Sequence, residues 1–184
     1  MSDASASMLD ELPGELMMWV LIISELLVFG AGLAVFLSVR LTDPVGFAES
    51  QDYLHRTGAA LNTIVLVSSG FLAAYALRWR EAAQRLKARL ALIAAALLGV
   101  VFLIIKGAEY ADKAAQGIGP ETNAFFTFYY LLTGFHAAHV VAGIVILLLV
   151  AWKDEPRNIE TGAAFWHMVD LVWVLLFPVV YLLG

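Results

Sequence analysis

Charged side chains are confined largely to short stretches between five long apolar runs, at residues 16–39, 57–79, 90–112, 124–152 and 161–183. A run of about 20 mainly apolar residues is long enough to cross the hydrocarbon core of a bilayer as a helix. In lipid only a helix or a closed barrel satisfies its own backbone, and runs of this length without period-two alternation predict helices. The expected fold is therefore all-α, a polytopic membrane protein whose five-transmembrane-helix bundle forms a single membrane domain over residues 1–184. The punctuation agrees with these boundaries. Pro13-Gly14 precedes the first run, Asp43-Pro44 marks a turn in a polar loop at 42–56, and Gly117, Gly119 and Pro120 separate the third run from the fourth. Pro178 lies in the final third of the last run, too close to its end to break the span. Residues 1–15 are acidic and lack lysine and arginine, so with no basic n-region, and Glu25 within the run that follows, no signal peptide is expected.

Composition supports the membrane reading. Of the 184 residues 61% are hydrophobic and 15% charged, and the mean hydropathy is +0.82, too apolar for a soluble domain that must present a solvated surface. There is no cysteine, which removes disulfides, thiolate metal sites and iron–sulfur clusters. The net charge of −5 comes without a basic block, so nucleic acid is not an expected partner. Lysine and arginine choose the orientation. Arg78, Arg80, Arg85, Lys87, Arg89, Lys153 and Arg157 fall on the side of the N-terminus, against Arg40, Arg56 and Lys113 opposite, which predicts a cytoplasmic N-terminus and a periplasmic C-terminus. Trp19, Trp79, Trp152 and Trp166 fall near the predicted cytoplasmic ends, where an indole prefers the headgroup level.

Against this apolar background a few polar side chains stand out. The stretch TGFHAAHVVAG at 133–143 places His136 and His139 three residues apart, on one helix face near mid-depth of the fourth run. Counted at about 1.5 Å per residue from the predicted cytoplasmic ends, Glu25 and Asp170 lie roughly 13 Å deep, His139 roughly 18 Å and His167 about 9 Å, so that Glu25, Asp170 and His139 are within reach of one another. Polar groups at such depth must face protein, a cavity or a bound headgroup, and they mark functional sites by default. Glu25 reads either as a neutral acid hydrogen-bonded to a neighbouring helix or as a proton- or lipid-linked group. His136 and His139 read either as that same site or as interhelical hydrogen-bonding residues beside Gly134 and Gly143. Asp170 and His167, also three apart, brace each other or the fourth helix. Lys106 and Glu109 form a secondary pair, read as an interfacial ion pair with a snorkelling lysine. Asn62, Ser68-Ser69-Gly70, Gly30 and Gly32 read as packing positions.

Two cofactor chemistries fit poorly. A bis-histidine haem needs ligands at matching depth, and His167 is offset from His136 and His139 by roughly 9 to 13 Å. A di-iron bundle needs paired Glu-x-x-His elements, and the sequence contains none. No cofactor is therefore expected on this chain. Short loops leave no room for a soluble catalytic domain, so an accessory subunit is expected; a small proton-coupled membrane carrier using Glu25 is the alternative.

Taken together, LIISELLVF (21–29), LNTIVLVSSG (61–70), LGVVFLIIKGAEY (98–110), TGFHAAHVVAG (133–143) and FWHMVDLVW (165–173) resemble, in the same order, the signature segments of subunit III of the haem-copper oxidases. The chain is similar to the five-helix form that lacks the first two helices of the seven-helix members. LPGELMMW (12–19) and the segment 166–183 look closest to the subunit III-like protein associated with nitric oxide reductase. The resemblance implies a subunit with no redox centre of its own in a bacterial inner membrane. It also implies a haem-copper catalytic partner, either subunit I of an oxidase or the nitric oxide reductase large subunit, in which the haem and metal would sit. On it the family's intramembrane glutamate falls on Glu25, its paired histidines on His136 and His139, its WHxVD motif on His167 and Asp170, and its Glu-Tyr on Glu109 and Tyr110. Structural phospholipid and support of proton uptake are further implications. With the first two helices missing, a lipid cleft of the family's kind has to be completed by another chain.

Overall fold

A computed structural model describes residues 16–183. Helix α1 spans Leu16–Arg40, α2 Pro44–Asp52, α3 Arg56–Glu81, α4 Arg85–Ala115, α5 Ala124–Lys153 and α6 Pro156–Phe177, which continues as a π-helical turn at Pro178–Leu182. Five of these helices are long and apolar enough to cross a membrane, and no strand occurs among the described residues. The chain is a multi-pass membrane protein. The acidic segment 1–15 lies outside the described residues.

The five predicted spans are all present, and the differences lie in what surrounds them. The loop expected at 42–56 contains α2, because Pro44 occupies its first turn and Asp43 caps it, accepting from the Gly46 amide at 3.0 Å. The basic stretch expected to join the second and third spans is already helical from Arg85, and the turn before it is held to three residues by Ala83 in the left-handed region. Asn123 caps α5, accepting from the Phe126 amide at 3.0 Å, and Asp154 ends it at φ +52°. Arg80 donates to the Asp154 carbonyl at 2.9 Å and pairs with its carboxylate at 2.9 Å, which ties the α3–α4 turn to the α5–α6 turn at one end of the bundle, the near end.

In lipid the hydrophobic effect does not draw helices together, so close packing and directed polar contacts must do so. Helices α3 and α4, which pack against each other, both bury small residues: Ala59, Ala73 and Ala76 on one, Ala88, Ala91, Ala95, Ala96 and Gly99 on the other. Trp166 of α6 fills the space above two glycines, where a Cβ would come within 2.7 Å of the indole at Gly99 and as close at Gly143. Its Nε1–H donates to Ser69 Oγ at 3.0 Å, and Ser69 Oγ–H donates to the Ala95 carbonyl at 2.7 Å, so one chain of hydrogen bonds joins α6, α3 and α4. Trp166 is thus a fully buried core residue, and the interfacial placement expected for it is incorrect; an indole whose N–H finds a partner is as stable in a core as at a headgroup. Gly32 lies against Leu132 as a packing glycine should, whereas nothing approaches Gly30.

Helix α1 differs from the rest. Phe29 and Phe36 are its buried residues, and Met17, Val20 and Leu27 face outward. It rests on α5 and α6 rather than joining the four-helix core of α3 to α6. At the end opposite the near end, the far end, Phe36 packs on Phe47 of α2 and Phe125 of α5 at centroid distances of 5.4 and 5.9 Å. Toward the near end α1 parts from α6, leaving a groove of about 310 Å³ lined by Met18, Ile22, Ala164, His167, Met168 and Leu171.

Candidate functional site

Glu25 and His139 meet, joining α1 to α5 where the sequence placed two polar groups in apolar runs. His139 Nε2 stands 3.0 Å from Glu25 Oε2, with the two side chains 15% and 25% exposed. The other ring nitrogen, Nδ1, is 2.9 Å from the Phe135 carbonyl. A carbonyl only accepts, so Nδ1 carries a proton and donates it to Phe135, which leaves Nε2 facing the carboxyl group. The two are close enough for charge pairing but not aligned for a hydrogen bond, since Oε2 is buried without a well-directed donor. Phe29 packs edge-on against His139 at 5.5 Å, and Phe135 does so at 4.6 Å, giving the pair an apolar surround on the protein side.

His136, three residues away, takes a different environment. It is fully buried, stacks on Trp173 at 5.3 Å and meets the edges of Phe102 and Phe29 at 5.6 and 6.3 Å. Neither ring nitrogen has a hydrogen-bond partner among the described residues. His139 reaches another helix through its ion-pair contact with Glu25, while its hydrogen bond to the Phe135 carbonyl stays within α5. The role of interhelical hydrogen bonding does not hold for His136, which binds its neighbours by ring packing. Of the two nearby glycines, Gly143 receives Trp166, while at Gly134 the nearest neighbour is the Tyr110 hydroxyl, 3.8 Å from where a Cβ would stand.

Asp170 does not join Glu25 and His139. It is turned toward α3, pressing directly on Gly70, where the absence of a side chain makes room for the carboxylate. His167 Nδ1 is 3.9 Å from Asp170 Oδ2, so these two do brace each other, and the helix they lean on is α3 rather than α5. His167 is half-exposed in the groove beside α1. Depth counted along separate helices puts Glu25 and Asp170 at one level but says nothing of the direction in which each helix is rotated.

Lys106 departs from the interfacial, snorkelling placement expected of it. It is 2% exposed, held between α4, α5 and the C-terminal turn. Its ammonium donates to Glu109 Oε2 at 3.0 Å, to the Tyr129 hydroxyl at 3.1 Å and to the Tyr181 hydroxyl, which accounts for its three protons. Tyr181 in turn donates to Glu109 at 3.1 Å, closing a ring of partners. The rings of Tyr129, Tyr110, Tyr181 and Trp173 lie 4.5 to 5.7 Å from Nζ, a cation–π surround. Beside it Tyr110 and Thr133 share a hydrogen bond of 2.6 Å. Aromatic faces and three acceptors hold the charge in place, so the side chain has no need to reach water. Spacing along one helix reveals Lys106 and Glu109 but not Tyr129 and Tyr181, which come from two other elements. Phenols within apolar runs, with hydroxyls free to donate or accept, are the only signal of them in the sequence.

Comparison with known proteins places this geometry in a family. The profile of cytochrome c oxidase subunit III matches residues 14–184. The cytochrome c oxidase subunit 3 of Thermostichus vulcanus is 33% identical over 174 residues, covering 89% of this chain and 84% of that protein. The subunit 3 of Corynebacterium diphtheriae is 30% identical, covering 88% and 84%. A probable quinol oxidase subunit 3 of Staphylococcus epidermidis is 25% identical, covering 90% and 87%. The match runs through all five spans and includes every polar group described above, and the chain belongs to the cytochrome c oxidase subunit III family of the haem-copper oxidases.

Proposed function

We propose that this chain is a non-catalytic accessory subunit of a haem-copper respiratory complex, packed against the catalytic subunit and stabilising it. The observation that supports this most is the likeness to subunit III proteins along nearly nine-tenths of the chain. The partner is the catalytic subunit of a cytochrome c or quinol oxidase or of a nitric oxide reductase, and it carries the haem and metal. In this reading the N-terminus is cytoplasmic and the C-terminus periplasmic, in a bacterial inner membrane. Arg80, Arg85 and Lys153 then face the cytoplasm together, as the distribution of basic residues favours.

The intramembrane cluster divides by role in this proposal. Glu25 and His139 are the proton- or lipid-linked pair, because they are partly exposed, lie within 3.0 Å of each other and sit where α1 meets the core. His167, half-exposed in the groove next to α1 and braced by Asp170, is the second point at which a structural phospholipid or a partner helix reaches a polar group. His136 serves packing. The test is extraction of the tagged chain in a mild detergent, with partners identified by mass spectrometry and a reduced-minus-oxidised spectrum taken on the same sample. A haem-copper catalytic subunit is the expected partner, and its type decides between oxygen and nitric oxide. Recovery of the chain alone, colourless and folded, would overturn the proposal and favour a proton-coupled carrier.

A further inference from the structure

At the far end of the bundle the chain leaves α-helical geometry at Pro178, which has no N–H to continue the ladder, and runs on as a π-helical turn to Leu182. Three elements hold this turn. Arg40 of α1 donates to the Leu183 carbonyl. Gln51 of α2 donates through Nε2 to the Val180 carbonyl at 2.7 Å. Tyr181 is fully buried, and its hydroxyl sits between Lys106 and Glu109, accepting from one and donating to the other. The first two contacts end on backbone carbonyls, which any residue supplies. The third depends on side-chain chemistry at both ends.

We propose that Lys106 and Glu109 form a latch for the Tyr181 hydroxyl, and that this latch governs the opening of residues 178–183 as a local unit. Withdrawal of Tyr181 leaves one ammonium proton and one carboxylate contact without partners in an otherwise dry cage, so partial movement gains nothing and the turn is either seated or released. Release uncovers the Lys106 cage from one side only. The near end of the bundle, held by Arg80 on Asp154, lies at the opposite ends of the same helices and stays closed.

The absence of native cysteine makes the test direct. Val180→Cys, at a fully buried position, reports on the turn, and Ala151→Cys, 4% exposed, reports on the near end. The probe is a charged maleimide applied to the full chain in detergent. Tyr181→Phe removes the hydroxyl and keeps the ring, so the fold survives; it should raise the labelling rate at position 180 about tenfold, the equivalent of one hydrogen bond to a charged group, and leave position 151 unchanged. The paired replacement Lys106→Met with Glu109→Leu, which removes both charges together, should do the same. An unchanged rate at position 180 in Tyr181→Phe overturns the latch, and an equal rise at 180 and 151 overturns the idea of a separate unit.

Discussion

Among the acid–base pairs in the apolar spans, Lys106–Glu109 and Glu25–His139 are built on opposite terms. Lys106 and Glu109 are 2% and 7% exposed at the side chain, and every ammonium proton has an acceptor. Glu25 and His139 are 25% and 15% exposed, close but poorly aligned, with the acid on the least buried helix. A charge sealed in a dry site is tolerable only when its partners are complete, whereas a pair at the edge of the bundle can be left incomplete because lipid headgroups, water or another chain reach it. The sealed pair is thus complete within this chain, and the proposed contact with lipid or a partner subunit falls on the open one.

The largest effects are expected at the sealed pair. Lys106→Met alone should cost about 3–5 kcal/mol, because it strands the Glu109 carboxylate, and adding Glu109→Leu should restore most of that loss. Thermal unfolding of the detergent-solubilised chain reads both; equal destabilisation by the single and the paired variant would show that the cage is held by shape rather than by charge. Next in size is Gly70→Ala, whose methyl would occupy the place of the Asp170 carboxylate. Overpacking there should cost about 1–3 kcal/mol and displace Asp170 from α3, seen as a lower unfolding midpoint that the double variant Gly70→Ala with Asp170→Ala recovers.

Smaller effects sharpen the open side. Glu25→Ala should loosen α1 by about 1 kcal/mol, while Glu25→Gln keeps a hydrogen-bonding group and should leave subunit content on a native gel unchanged. Loss of complex activity in Glu25→Gln with subunit content intact would mark the carboxyl group itself as functional. A modest change, under about 1.5 kcal/mol, is expected for His136→Phe, a near-isosteric swap at a buried site that keeps the stack on Trp173 and loses no hydrogen bond. A large destabilisation would mean that the imidazole nitrogens are satisfied in the membrane after all.

Much of this architecture is legible in the sequence. Length and hydropathy mark the five spans because the bilayer imposes one thickness and one backbone solution on any chain that crosses it. Rarity marks Glu25, His136, His139, His167, Asp170, Lys106 and Glu109, because polar side chains in such spans are costly. Helix α2 is not legible in the same way, because nine residues of modest hydropathy carry little periodic signal, and its Asp-Pro start reads equally well as a turn.

What only the tertiary structure decided is which way each polar group faces. Depth along a helix follows from residue number, but rotation about the helix axis follows from what the helix packs against. Gly70 and Asp170 meet because α3 and α6 are neighbours, and Trp166 is drawn inward by Gly99, Gly143 and the Ser69 hydroxyl. The same is true of Lys106, whose cage takes Tyr129 from α5 and Tyr181 from the C-terminal turn. Hydropathy is a property of one segment at a time, so it determines where a chain crosses the membrane; pairing is a property of two, and it appears only when the helices are set side by side.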